Sequence, residues 1–334
     1  MADDLESWAR RRAPELLARA EAEAVAALRD ALVDAALAHR SAGATSGPPR
    51  RAAARAVRPA ADTPSGDGLW AYCVLRAGEP LPEDVEGVGG PGAFERVEAR
   101  DLAAIVSRVP LAEFGAEPLR ENLNDLAWLE RVAREHEAVL DRTLAQSTIV
   151  PLRLCTIYES AQSVRDMLER EHDSLVQALD ALAGRQEWGV KLIADGDRLA
   201  EAARSQSAEA SALEDELGAR TGGGAYMLRR RLERHVREAV DSLGAELADE
   251  VHARLQTATV DAVVLPPQNP ELSGHEGTML LNGAYLVDAA RVDVLRELVG
   301  ELEERHRPLG ARIELTGPWP PYNFLPGGGA GTLA

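Results

Sequence analysis

The stretch ARIELTGPWPPYNFL, residues Ala311 to Leu325, decides how the end of this chain folds. Its first half alternates polar and apolar residues from Arg312 to Leu315, which predicts a half-buried β-strand. Three prolines then fix the backbone angle φ and remove backbone donors. We therefore expect the sheet to end at Gly317 and a stiff, extended segment to follow.

Three aromatic residues lie in this proline-rich segment, although aromatic residues make up only 4% of the chain: Trp319, Tyr322 and Phe324. The ordinary interpretation is that they close the core of the protein, because large apolar side chains are usually buried. The alternative is a partner surface, since rings on a stiff backbone dock at a low entropic cost. For Trp319 we expect the core.

The composition is that of a globular protein with room for two or three domains. Of 334 residues, 45% are hydrophobic and 28% charged, and the net charge is −18. So acidic a chain is not expected to bind nucleic acid or an anionic membrane surface. The chain also lacks an apolar leader and the roughly 20 apolar residues of a membrane span. We therefore expect a cytoplasmic protein.

The chain divides into three parts. Residues 1–67 predict an alanine-rich α-helical extension, followed by a flexible linker rich in Gly, Pro and Ser. Residues 68–147 predict an N-terminal α+β domain. It begins with the apolar strand LWAYCVLR, which is typical of burial on both faces, and it ends with a helix from Asn122 to Gln146.

Residues 148–326 predict a second α+β domain with a helical insertion at about 196–254. A strand-helix-strand unit opens it and forms the first half of a ferredoxin-like arrangement. The predicted elements are the strand Thr148–Tyr158, the helix Ala161–Ala183, the strand Glu187–Asp195, the helices Asp197–Leu217 and Ala225–Arg254, the strands Thr257–Leu265 and Met279–Val287, the helix Val292–Arg307 and the closing strand.

The chain carries no recognisable catalytic, metal or cofactor motif. Gly87, Gly89 and Gly92 satisfy the spacing GxGxxG, but no helix is predicted after them, so we expect a plain turn. Cys73 and Cys155 are isolated, which argues against a zinc site or a disulfide framework. His136 falls near the apolar face of its helix, where we expect a hydrogen-bonded core residue.

The segment RRRLERHVRE inside the long helix is locally basic. Glu233 and Glu238 interrupt its arginines, so we interpret it as a solvated, salt-bridged face and not as an RNA site. Physical reasoning from the residues thus reaches an acidic two-domain α+β protein, and it does not reach a function.

Several stretches, in order, resemble the gas vesicle protein F/L family (GvpF/GvpL). The most specific is GPWPPYNF near the end, supported by VPLRLCTIY, EWGVK, GAYMLRRR and LLNGAYLV. The residues that carry the resemblance are Pro151, Arg153, Trp188, Gly189, Lys191, Tyr226, Tyr285, Gly317, Pro318, Trp319, Pro320, Pro321, Tyr322 and Phe324. The match covers roughly Leu69 to Leu325, and the extension before Leu69 inherits nothing from it.

The resemblance implies an N-terminal α+β domain and a modified ferredoxin-like C-terminal domain with a variable helical region. It also implies a non-enzymatic minor component or assembly factor of the gas vesicle. Such a protein would bind the small hydrophobic shell protein GvpA, keep it from aggregating and assist vesicle nucleation. Other gas vesicle accessory proteins are further expected partners.

Two other functions stay open at this point. A ferredoxin-like module that binds a small molecule and regulates a partner would show a higher melting temperature with its ligand. A hydrolase with an unrecognised site would need a cleft with strongly perturbed carboxylates.

Overall fold

A computed structural model of the chain describes residues 66–219, 223–266 and 277–325. The predicted N-terminal extension, apart from its last two residues, lies outside the described residues. The chain is α+β and forms two compact units. Among the described residues, the first unit holds those up to Ala183 and those from Pro320 to Leu325, and the second holds those from Gly184 to Trp319.

The first unit contains five strands and five helices in its described residues. The strands are β1 (Asp67–Arg76), β2 (Glu95–Ala99), β3 (Leu102–Pro110), β4 (Val150–Pro151) and β5 (Ile157–Tyr158). The helices are α1 (Leu111–Phe114), α2 (Ala116–Asn122), α3 (Leu126–Leu144), α4 (Ala161–Arg170) and α5 (His172–Leu182), and Tyr322–Phe324 adds a 3-10 turn.

Strand β1 is the centre of the first sheet. The strand order is β2-β3-β1-β4, β5 also pairs with β1, and all pairings are antiparallel. Every side chain from Leu69 to Leu75 is inaccessible to solvent, which confirms the predicted burial on both faces. Trp70 and Tyr72 pack with Val132 and Leu140 of α3 in the core of this unit.

Several predicted elements of the first unit are shorter than expected. The predicted strand over residues 148–158 is interrupted, because Cys155 adopts a left-handed backbone with φ of 64° between β4 and β5. Helix α3 begins at Leu126, since the Asp125 carboxylate accepts the backbone N–H groups of Ala127 and Trp128 as an N-cap.

The boundary between the units differs from the predicted one at 147/148. Strand β4 pairs with β1, and helices α4 and α5 contact strands of the first sheet. Residues 148–183 therefore belong to the first unit, and the predicted strand-helix-strand unit is split between two sheets. The sequence shows that two strands flank a helix, but it does not show which sheet each strand joins.

The second unit contains four strands and four helices in its described residues. These are β6 (Arg185–Ala194), α6 (Gly196–Gln206), α7 (Ala208–Gly218), α8 (Gly223–Gln256), β7 (Asp261–Val264), β8 (Thr278–Asp288), α9 (Val292–His306) and β9 (Ala311–Trp319), with 3-10 turns at Ala289–Arg291 and Arg307–Leu309. The sheet order is β7-β8-β6-β9, and every pairing is antiparallel.

Chain order in this unit is strand, helical region, strand, strand, helix, strand. That order and the strand positions support the ferredoxin-like description, which stays a prediction. Three helices occupy the stretch where a helical insertion is predicted. The predicted helix Asp197–Leu217 breaks at Ser207, whose hydroxyl accepts the N–H of Ala210 and starts α7.

Helix α8 is 34 residues long, about 50 Å at the usual rise. Its two halves have different surroundings. Leu247, Val251 and Leu255 in the C-terminal half are buried in the core of the second unit, and the helix as a whole contacts α6 and α7. Its apolar residues from Leu228 to Val251 recur almost uniformly every four positions, so they drift around the helix, which fits this change of neighbours.

The prediction that the sheet ends at Gly317 is wrong. Strand β9 continues to Trp319, which pairs with Glu187, and the register shifts opposite Trp188. Strand β9 is an edge strand, so a proline in an irregular position costs no ladder hydrogen bond. Pro318 is therefore compatible with a strand that sequence rules would terminate.

Candidate partner-binding surfaces

The last aromatic residues of the closing segment complete the core of the first unit. Pro320 and Pro321 are buried, Phe324 is 9% exposed, and Tyr322 is half-buried against the core residues of this unit. The core interpretation is thus confirmed for Tyr322 and Phe324. Burial removes the Phe324 ring from the exposed surface, whereas Tyr322 keeps part of its ring accessible.

The Tyr322 hydroxyl joins a buried polar network. It donates to Glu137 Oε1 at 3.2 Å and lies 3.4 Å from His136 Nε2. Trp70 Nε1–H donates to His136 Nδ1 at 3.0 Å, so that Nε2 carries the proton and donates to the Leu152 carbonyl at 3.2 Å. Both ring nitrogens of the imidazole are therefore occupied.

His136 is a hydrogen-bonded core residue, as the sequence predicts. It is inaccessible to solvent, and burial lowers its pKa from 6.5 to about 4. The ring stacks on Tyr72, whose pKa burial raises to about 12. Both shifts come from burial in a packed core. The chemistry of this network is structural.

The family-motif residues on β6 and β8 lie mainly inside the second unit. Trp188 is 5% exposed and Tyr285 is fully buried. The Tyr285 hydroxyl lies 2.8 Å from His252 Nδ1, and burial raises the pKa of this phenol. Lys191 on the same strand as Trp188 is half-buried.

Gly189 of β6 pairs with Thr316 of β9 and lies close to the indole of Trp319. A Cβ at Gly189 would lie 2.9 Å from Thr316 Oγ1 and 3.5 Å from Trp319 Nε1, so glycine makes room for both side chains. Trp319 is half-buried and donates its Nε1–H to Thr316 Oγ1 at 3.2 Å. The expectation that Trp319 belongs to the core is therefore met only in part.

The remaining motif residues are split between buried and exposed positions. Pro151 is buried in β4, whereas Arg153, Gly317 and Pro318 are exposed. Tyr226 is 60% exposed at the start of α8. The motif residues do not converge on one cleft in either unit.

One surface that sequence reasoning misinterpreted lies along the first half of α8. Of the arginines from Arg229 to Arg237, Arg231 forms an ion pair, with Glu209 at 3.1 Å. The other four form none with any residue that the structure describes. The predicted salt-bridged face is thus solvated but mostly unpaired. The signal was present in RRRLERHVRE, where arginines outnumber glutamates.

A second surface, which the sequence did not single out, lies along β7. This four-residue strand is at the edge of the second sheet. Val264 is 56% exposed, and Val260 just before the strand is 44% exposed. An edge strand offers unpaired backbone groups to an added strand. Exposed valines beside such an edge make it a candidate surface for an apolar partner.

Metal-binding and membrane-spanning features are absent from the described ranges. Within them no three His, Cys, Asp or Glu residues are grouped so as to hold a metal ion. No helix in the same residues combines the length and the apolar character needed to cross a membrane.

Comparison with known proteins points to one family. The sequence profile described as "Gas vesicle synthesis protein GvpL/GvpF" matches residues 68–326. Gas vesicle protein L of a Streptomyces species is 39% identical over 259 residues, which are 76% of this chain and 91% of that protein. Gas vesicle protein F of the same strain is 28% identical over 258 residues, 77% of this chain and 98% of that protein.

Solved structures agree at the level of the fold. The crystal structure of GvpF from Microcystis aeruginosa has a TM-score of 0.56 at 17% identity and covers 77% of this chain and 98% of its own. That of GvpF from an Anabaena species has a TM-score of 0.59 at 18% identity, with coverage of 78% and 98%. A profile match over most of the chain and a 39% identical relative show that this chain belongs to the GvpL/GvpF family of gas vesicle proteins.

Proposed function

We propose that this chain is a non-catalytic gas vesicle accessory or minor structural protein that binds the shell protein GvpA. In this role it prevents the shell protein from aggregating and assists vesicle nucleation and assembly in the cytoplasm. The observation that carries the proposal is membership of the GvpL/GvpF family over residues 68–326. Other gas vesicle accessory proteins are proposed as further partners.

A physical argument supports this role. A protein that lines a gas-filled space must expose apolar surface before it assembles, and such surface aggregates unless it is covered. Covering it requires apolar contacts or strand pairing, and neither requires a catalytic centre. The buried network around His136 is consistent with a scaffold function.

The edge of the second sheet at β7 is the surface that we assign to the shell protein. Val260 and Val264 are exposed apolar residues at this edge, and one side of β7 already pairs with β8. A strand of the shell protein would add to the other side of β7, which pairs with no strand among the described residues, and the two valines would contact its apolar side chains.

Co-expression of the full-length chain with the shell protein tests the proposal. We expect the shell protein to remain in the soluble fraction and to co-elute with the chain during size-exclusion chromatography. A shell protein that aggregates equally with and without the chain would contradict the proposed function.

A pair of double variants tests the assigned edge. Val260→Lys with Val264→Lys is expected to abolish co-elution, because charged side chains at a sheet edge block strand addition. Leu123→Lys with Val294→Lys is the matched control, since these residues are 43% and 47% exposed elsewhere on the protein. Equal loss of co-elution in both variants would contradict the assignment of the β7 edge, but it would not contradict the proposed binding of the shell protein.

A further inference from the structure

The first half of α8 is basic in an otherwise acidic protein. Residues 226–238 contain five arginines and two glutamates, whereas the whole chain carries a net charge of −18. All five arginines are exposed. Acidic residues outnumber basic ones in the chain as a whole, yet four of these five arginines form no ion pair with a described residue, which makes the group a local exception.

Three of these arginines share one face of the helix. Arg230, Arg234 and Arg237 are spaced by four and three residues, which aligns them along α8 over about 10 Å. None of the three forms an ion pair within the described residues. We call this row the arginine stripe.

A recess of about 690 Å³ opens beside the arginine stripe. Its lining comprises four arginines, two glutamates and two apolar residues: Arg230, Arg231, Arg234, Arg237, Glu233, Glu216 of α7, Met227 and Leu228. Four arginines against two glutamates leave the lining with a net positive charge beside its apolar side chains. This combination suits a ligand that carries both negative charge and an apolar group.

Exposed apolar residues continue the surface toward the N-terminus of α8. Tyr226 is 60% exposed and Met227 is 69% exposed, next to the buried Leu228. Large side chains at such exposure cost solvation free energy unless a partner covers them. Protein–protein interfaces are enriched in Tyr, Met and Arg relative to the rest of the protein surface.

From this juxtaposition we infer that the first half of α8 docks an acidic helical segment of a partner protein, with at least one apolar side chain placed against Tyr226 and Met227. Carboxylates of the partner pair with the arginine stripe, and the recess accepts the apolar side chain. This surface is separate from the β7 edge and does not depend on shell-protein binding.

Charge and size favour a protein segment over nucleic acid. A nucleic acid longer than the arginine stripe would place further phosphates close to a protein with a net charge of −18. These phosphates and the acidic surface would repel each other within the Debye length of about 8 Å, which opposes binding. Two turns of a helix with carboxylates at i and i+4 match the length of the stripe.

Fluorescence anisotropy with the full-length chain tests the inference. The probe is a fluorescein-labelled peptide built from the repeat Glu-Glu-Leu-Glu-Glu-Leu-Leu, and its comparison is the same peptide with lysine in place of each glutamate. We expect the acidic peptide to bind, the lysine peptide not to bind, and affinity to fall as NaCl is raised.

Two matched double variants locate the site. Arg230→Glu with Arg234→Glu is expected to weaken binding by about tenfold or more, because two attractive pairs become repulsive. Arg204→Glu with Arg254→Glu changes the net charge equally at exposed arginines outside the stripe and is expected to retain binding. If the first variant does not fold by circular dichroism, the alanine pair at the same positions replaces it.

Four results would overturn the inference. One is no preference for the acidic peptide over the lysine peptide, and another is equal loss of binding in the two variants. A third is binding of a single-stranded DNA oligonucleotide that depends equally on Arg230 and Arg234, which would identify a nucleic-acid site. The last is self-association in analytical ultracentrifugation that the stripe variant abolishes, because a second copy would then occupy the surface.

Discussion

The hydroxyl of Tyr322 lies 3.2 Å from the carboxylate of Glu137, although 185 positions separate the two residues in the sequence. This bond attaches the end of the chain to helix α3 of the first unit. Since Tyr322 is also half-buried against that core, the closing segment is part of the first unit's fold.

Substitution of Tyr322 is therefore expected to destabilise the protein. Tyr322→Phe removes the hydrogen bond to Glu137 and should lower the free energy of unfolding by about 1 kcal/mol. Tyr322→Ala also leaves a cavity and should cost about 3 kcal/mol. Urea denaturation followed by circular dichroism measures both, with Tyr226→Ala as the exposed control, expected within about 0.5 kcal/mol of the parent. An unchanged Tyr322→Ala protein would refute this placement.

His136 should make stability fall at acidic pH. Its folded pKa of about 4 lies below the ordinary value of 6.5 because burial disfavours the charged ring. The stabilisation is fully present above pH 6.5 and is lost progressively as pH falls from 6.5 toward 4, by up to about 3 kcal/mol. Urea midpoints at pH 7 and pH 4.5 measure the loss.

The matched variant for that experiment is His136→Gln, which keeps a donor and an acceptor but does not titrate. Its stability should change less between the two pH values than that of the parent protein. An equal change in both proteins would assign the acid sensitivity to other groups.

Gly317 should not tolerate a side chain. Its φ of 135° is unfavourable for other residues, and a Cβ would lie 3.0 Å from the Glu187 carbonyl oxygen and 3.2 Å from the Trp188 ring. Gly317→Ala is expected to destabilise the protein by about 1–3 kcal/mol. Gly300→Ala on the exposed side of α9, where nothing lies within 4 Å, should instead stabilise it by about 0.5–1 kcal/mol. Thermal melts that shift in the same direction for both variants would contradict this prediction.

The pKa of His172 should lie above the ordinary value of histidine. Its Nδ1 and Nε2 lie 3.0 Å and 2.6 Å from carboxylate oxygens of Asp173 and Asp101. Hydrogen bonds to Asp173 and Asp101 raise the pKa of His172, and the bond to His172 lowers that of Asp101. The stabilisation from His172 is present below its unfolded pKa and is lost as pH rises through its folded pKa. An NMR titration should place the His172 midpoint lower in Asp101→Asn, and an unchanged midpoint would exclude the pair.

The sequence predicts the elements well where burial and periodicity agree. β1 was predictable because eight consecutive residues, LWAYCVLR, are β-rich and mainly apolar. His136 was predictable because it lies beside the apolar stripe of a long helix. Both depend on local pattern alone.

Other features depend on partners that lie far away in the sequence. Pro318 fits a strand because β9 is at a sheet edge, and β4 joins the first sheet because its partner is β1. The arginine stripe stayed unpaired because Glu233 and Glu238, although close in sequence, form no ion pair with it in the described residues. Sequence spacing shows which residues lie close together along a helix, but it does not show whether an arginine and a glutamate there form an ion pair.

The discontinuous first unit has a consequence for synthesis on the ribosome. Its sheet and helices are complete by Leu182, but Tyr322 and Phe324 join its core only after the whole second unit has been made. During translation the core of the first unit therefore stays incomplete until Tyr322 and Phe324 have been synthesised. The second unit, in contrast, can fold as a continuous segment. Release of residues 320–325 from the exit tunnel is thus the event that lets the first unit finish folding.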